Sequence, residues 1–154
     1  MAFKDRRRFD ARELIQGIPV WITTDEIDVA EVGGAGVVVL HDFSRDNGKY
    51  IITACVLEVI ENFNAGTVNV GHGTMPDKYT PETGTITTTD ADSLWPTATG
   101  NETTGTIESW FDMSGAPVIL NGNASPVPVI IATIATAVSG KFRVHFLVSE
   151  IPQY

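Results

Sequence analysis

Three histidines, one cysteine and scattered carboxylates are the groups in this 154-residue chain that could do chemistry. His41, His72 and His145 stand in three separate segments, and none has a second His, Cys or carboxylate at the spacing of a known metal motif. His41 and His145 fall inside strand-like runs, where a structural, hydrogen-bonded ring is the plain reading. Gly71-His72-Gly73 reads as a turn that exposes an imidazole on a loop. Cys55 has no second cysteine to pair with, and its apolar surroundings suit a buried, inert thiol rather than a nucleophile. Carboxylates cluster at Asp25, Glu26, Asp28 and Glu31, and again at Asp90 and Asp92. Such density can bind Ca²⁺, yet neither stretch has the D-x-[DN]-x-[DN]-G loop. Both read as solvated acidic loops, or as patches that accept the basic segment of a neighbour. Asp90 and Asp92 leave one catalytic option, a small β-sandwich hydrolase with paired carboxylates, because that pairing is spatial rather than sequential. The chain lacks a G-x-S-x-G elbow and a P-loop, and Gly33-Gly34-Ala35-Gly36 reads as a turn because no strand-to-helix context surrounds it. No catalytic residue, metal ligand or cofactor is assigned.

The elements that would position these groups are almost all strands. Residues 5–15 hold the one helical turn or two, with Phe9, Leu14 and Ile15 as a thin apolar stripe that Gly17 and Pro19 bring to a stop. Alone in water so short a helix does not hold, so it needs a surface to lie on. Beyond Pro19, strand-like runs occupy 20–24, 37–43, 49–61, 67–70, 106–111 and 117–120. Asn47-Gly48 between two apolar runs signals a hairpin. A second hairpin is expected at the C-terminal end, where Ser139-Gly140 separates 127–138 from 141–151. In that last run Phe142, Val144, Phe146 and Val148 alternate with Arg143, His145, Leu147 and Ser149, which gives one buried and one wetter face. Residues 71–106, rich in Gly, Thr, Pro and Asp, read as long loops with one strand at 85–89 and Trp95 as a packed anchor. About eight strands without an amphipathic helix predict an all-β fold, an antiparallel β-sandwich or jelly roll with an extended N-terminal arm.

Charge divides the chain in two. Residues 1–12 carry five of the ten Lys and Arg against two Asp, so the arm is +3; the other 142 residues are −12, for a net charge of −9. With 43% hydrophobic and 19% charged residues, the chain has the material for one core and too little charge for a disordered polymer. The expected organisation is a basic arm at 1–17 and a single β-sandwich domain at 18–154. An acidic body argues against nucleic acid as its partner, because phosphate contacts need basic patches. The charged N-terminus is unlike a signal peptide and the apolar runs are strand-length, so no membrane is expected and folding in a reducing cytoplasm is.

Two stretches carry a family resemblance. Residues 50–74 join an apolar strand, a Phe63-Asn64-Ala65-Gly66-Thr67 turn and a second strand, and residues 127–149 form the closing strand pair. The combination resembles small β-rich virion proteins of tailed bacteriophages, of the capsid decoration (cement) type, over about fifty residues. The resemblance implies a structural protein, not an enzyme. It would be assembled in the host cytoplasm and located on the capsid surface of the virion. Its partners would be the major capsid protein and sister copies in a trimer that stabilises the shell non-covalently. Phe3, Arg6, Arg7, Arg8, Phe9 and Arg12 would then be the capsid-docking arm, arginines meeting carboxylates and aromatics filling pockets. Deletion of residues 2–16 is expected to leave a folded body that no longer binds capsids. Trp21, Tyr79, Trp95 and Trp110 are the candidates for an intersubunit or ligand contact. The alternative is a carbohydrate- or receptor-binding β-sandwich of a phage tail or fibre, with Tyr79, Trp95 and Trp110 on its loops.

Overall fold

A computed structural model describes residues 18–43, 48–76, 86–95, 107–110 and 118–151, with Trp95 and 107–110 described by backbone alone. The proposed helical turns at 5–15, the arm residues Phe3, Arg6, Arg7, Arg8, Phe9 and Arg12, and Tyr79 lie outside the described residues.

The described residues form ten strands in two antiparallel sheets, an all-β sandwich. They are β1 (Val20–Thr23), β2 (Ile27–Asp28), β3 (Gly36–Asp42), β4 (Lys49–Glu61), β5 (Thr67–Met75), β6 (Thr87–Trp95), β7 (Ile107–Trp110), β8 (Val118–Asn121), β9 (Val127–Ala135) and β10 (Lys141–Ile151). The first sheet has the order β1-β10-β4-β7, with β2 beside β10 and β8 beside β4; the second has the order β3-β9-β5-β6. β7 lies along residues 55–58 of β4 and β8 along residues 49–52, so the two share one sheet position. Pairing is nested: β1 takes β10, β3 takes β9, β4 takes β7 and β8, and β5 takes β6. That winding is a jelly roll.

The nesting corrects two expectations. β3 and β4 belong to different sheets, so they do not pair as the hairpin expected from Asn47-Gly48, of which Asn47 lies outside the described residues. Ser139-Gly140 likewise carries the chain from β9 in one sheet to β10 in the other. Gly140 has φ +131, and a Cβ there would run into the Phe63 ring, so the crossing passes close against the core.

Alternation places the core. Phe142, Val144, Phe146 and Val148 of β10 are fully buried and meet Tyr50, Ile52, Cys55, Leu57 and Phe63 from the neighbouring strand and turn. The inward set on β4 changes from even to odd numbers because a register shift opposite Leu147/Val148 inserts Thr53 as a bulge. β3 does the same: Val38 and Leu40 point inward, a shift follows Val39, and then His41 and Phe43 point inward. β9 contributes Ile130, Ala132 and Ile134 to this core, while its other face carries Val129 and Ile131, buried with Met75 in a second cluster flanked by Val39 and Ile86.

The described parts of the middle of the chain are strands where composition predicts loops. β5 runs on to Met75, and β6 spans Thr87–Trp95 in place of a short strand at 85–89. Gly71 and Gly73 lie inside β5, and a Cβ at either would strike the β6 backbone at Asp90, Ala91 and Thr87. The two glycines let β6 ride close over β5, and the expected turn is a strand.

Candidate functional site

The outward face of the six-stranded sheet collects most of the described polar chemistry. Register alone sets Thr23 of β1 beside His145 of β10, and His145 beside Val56 of β4, with Arg143 beside Glu58 one row on. Thr23 Oγ1 lies 2.9 Å from His145 Nδ1, and Glu58 Oε2 lies 2.8 Å from Nε2. An ionised Glu58 can only accept, so Nε2 carries the proton; in the neutral ring Nδ1 then accepts from the Thr23 hydroxyl. Arg143 Nη1 approaches the same Glu58 oxygen at 3.9 Å. The connectivity is hydroxyl, imidazole, carboxylate, the order of a nucleophile relay. However, it stands on an open sheet, where the backbone N–H groups of β10 and β4 are engaged in ladders on both sides, and acyl transfer needs free donors for an oxyanion. What the row does is clasp the edge strand β1 to the two central strands.

At the end of this face Lys141 Nζ meets Glu26 at 3.6 Å, Asp28 at 3.8 Å and Glu61 at 3.6 Å. The negative field, first from Glu26 and then from Glu61 and Asp28, raises the Lys141 pKa and keeps it charged. Three carboxylates share one ammonium, so this end of the sheet is net acidic. At the opposite end the same face turns apolar: Trp21 is 40% exposed and Ile119 60% exposed, with Leu147 and Ile51 half-buried between them.

A second polar group sits where β6 passes over β5. His72 Nδ1 is 2.7 Å from Ser93 Oγ. Burial lowers the His72 pKa more than the nearby Asp90 charge raises it. Asp92 is pushed up by its side-chain hydrogen bond to Asp90, by desolvation and by the Asp90 charge. His72 is therefore a half-buried strand residue rather than a loop imidazole, and Asp90 and Asp92 lie in β6 rather than in a loop. Among the described residues no group of three His, Cys, Asp or Glu could hold a metal ion.

His41 is buried, edge-on to Phe43 at 4.7 Å and to Phe146 at 5.9 Å. Cys55 is fully buried, and burial pushes its thiol up to about 12, which leaves it without thiolate at neutral pH. Trp95 falls opposite Val70 and Trp110 opposite Cys55, in strands rather than loops. Of the four candidate aromatics, Trp21 is the one whose ring is described, and it is outward and exposed. Sequence reasoning missed Thr23, Glu58 and Ser93 as partners of histidines. Thr23 and Glu58 are 122 and 87 residues from His145, so only the sheet register brings the three together.

Compared with known protein families and with curated proteins, the chain matches none. Among the described residues, no helix is long and apolar enough to cross a membrane.

Proposed function

We propose that the chain is a structural virion protein, a decoration or cement protein that attaches to a phage capsid shell and stabilises it without covalent bonds. The observation that carries the reading is the open face of the six-stranded sheet. Trp21 and Ile119 stand out from it, and the basic N-terminal segment joins the body beside it, at Ile18 (62% exposed). A half-exposed tryptophan on a flat sheet is the kind of anchor that protein interfaces bury. Jelly rolls recur in viral capsid domains, an analogy of fold that adds to the family resemblance and does not replace a test. In this reading the arm meets carboxylates of the major capsid protein and sister copies pack side by side, and many weak sites on one particle hold through avidity.

The test is co-sedimentation of the full chain with shells assembled without it, with the bound copies counted. Saturation at a fixed ratio to the capsid subunit, with shells that then resist heat or dilution better, is the expected result. Shells that pellet bare at every protein concentration would sink the proposal. One observation favours a second reading: the exposed Trp21 ring is also suited to stack on a sugar, and jelly rolls serve as lectin domains. Binding to a glycan array that disappears in Trp21→Ala would favour a carbohydrate- or receptor-binding role in a tail or fibre.

A further inference from the structure

An edge strand leaves alternate backbone N–H and C=O groups without a ladder partner, and proteins guard such rows with charge, proline, bulges or brevity. β6, at one edge of the four-stranded sheet, is guarded: it carries Asp90 and Asp92, and its register with β5 shifts twice. In the six-stranded sheet β1, β7 and β8 are four residues each, and Pro19 precedes β1. β3, at the other edge of the four-stranded sheet, lacks these devices up to its bulge. Its seven residues, GVVVLHD, hold no proline and no Asp, Glu, Lys or Arg before Asp42, and residues 36–39 keep unbroken register with 131–134 of β9. Among the described residues β9 is the one strand beside it. Gly36 is exposed, and Val37 is 40% exposed on the face away from the shared core.

We infer that the edge of β3 is where a second copy of the chain adds its own β3, antiparallel about a twofold axis, joining two four-stranded sheets into one of eight strands. Register selects that partner. With Val38 opposite Val38 of the second copy, Val37 falls opposite Val39 and Gly36 opposite Leu40. Every pair then shares one face of the sheet: Val37 and Val39 outward, Gly36, Val38 and Leu40 toward the core. The exposed Val37 gains an apolar cross-strand neighbour, and glycine leaves room for leucine at each end. Asp42 lies beyond the paired stretch, so no carboxylate faces another. The parts of this chain outside the described residues hold no run of four apolar residues to set against 37–40, whereas a second copy brings the same run. A twofold contact uses one surface on both copies and closes on itself, so association stops at the dimer. The inference does not rest on the shell reading, which uses the other sheet.

The experiment is sedimentation equilibrium of the full chain from about 1 μM to about 1 mM, because one strand edge is small beside the ~800 Å² per partner of a standard interface and holds weakly. A monomer that passes to a dimer and no further is expected. Val37→Lys, which sets an ammonium against Val39 of the second copy, should weaken the dimer by about tenfold or more. It should leave the urea midpoint unchanged, since Val37 is exposed. Disulfide trapping reads the register. Residues directly opposite in an antiparallel pair have Cα atoms about 4.5–5.5 Å apart, within a disulfide's reach, and diagonal neighbours about 7–8 Å, beyond it. A one-to-one mixture of Val37→Cys and Val39→Cys chains should therefore cross-link under mild oxidation, and neither chain alone; the native Cys55 is fully buried and does not compete. If Val37→Lys loses its β-type circular dichroism, the cysteine mixture decides alone. A chain that stays monomeric throughout, a dimer that a folded Val37→Lys leaves unchanged, or a mixture that cross-links no more than its components overturns the inference. A monomeric chain that binds shells until Val37 is changed to Lys gives the edge to the capsid subunit and overturns it too. A dimer that ignores shells leaves it standing and removes the capsid proposal.

Discussion

The two sheets solve burial differently. Along β10 each inward residue is fully buried while Arg143, His145, Leu147 and Ser149 keep partial access to water, so that sheet has a core face and an open face. Along β9 six consecutive residues from Val127 to Ala132 are buried, and both faces of the strand are covered. A strand with one open face reads as alternation, and a strand enclosed on both sides reads as an unbroken apolar run. The difference also separates roles: β9 is enclosed within its sheet, whereas β10 lines the open face of the six-stranded sheet, a surface that can meet another molecule.

The comparison breaks most sharply at outward positions of equal register type. Ile131→Asp on β9 should abolish folding, because it drives an unpaired carboxylate into a fully buried cluster; Leu147→Asp on β10, half-exposed, should leave a folded protein. Circular dichroism and sizing of both variants check this, and a folded Ile131→Asp would show that the cluster of Met75, Val129 and Ile131 is not closed to water. Next in size, Phe146→Ala in the shared core should cost about 3–5 kcal/mol in urea unfolding. Of opposite sign is Thr133→Val. Thr133 Oγ1 and Asn69 Oδ1, neighbours across β9 and β5, are buried without hydrogen-bond partners. Removing the hydroxyl should raise stability by about 1 kcal/mol, and a loss in the same urea titration would mean that the hydroxyl is satisfied.

The smallest effect is the pH dependence of His72. Its folded pKa lies below the ordinary 6.5, so the unfolded chain takes up the proton first as pH falls. Its contribution is intact above 6.5 and is lost as pH drops through the lowered folded value. His72→Asn should flatten that part of the stability curve between pH 7 and 5, and an unchanged slope would assign the acid sensitivity elsewhere.

What could be read from the sequence follows the same division. β10 was legible residue by residue, since its period of two survives intact from Phe142 to Val148. Alternation says which face a side chain takes but not which sheet the strand joins, so 127–138 and 141–151 looked like a hairpin although they lie in opposite layers. Bulges at Thr53 and near Leu40 shift the inward set by one residue, which blurs the period in β4 and β3. β6, with the sequence TTTDADSLW, has no apolar alternation; the glycines of β5 that let it approach mark its place, and in sequence they imitate a turn. The Thr23–His145–Glu58 clasp was invisible because its members meet only through long-range register.

The nested winding also constrains how the protein is made. β10, the last strand described, lies between β1, the first, and β4, near the middle of its sheet. As the chain leaves the ribosome, β1 and β4 must therefore wait, with their inward residues uncovered, for the strand that separates them. Contacts between such distant parts of the chain make for slow folding. A ribosome that stops before Lys141 releases a chain missing the centre of a sheet rather than its fringe, so premature termination there should prevent the six-stranded sheet from forming.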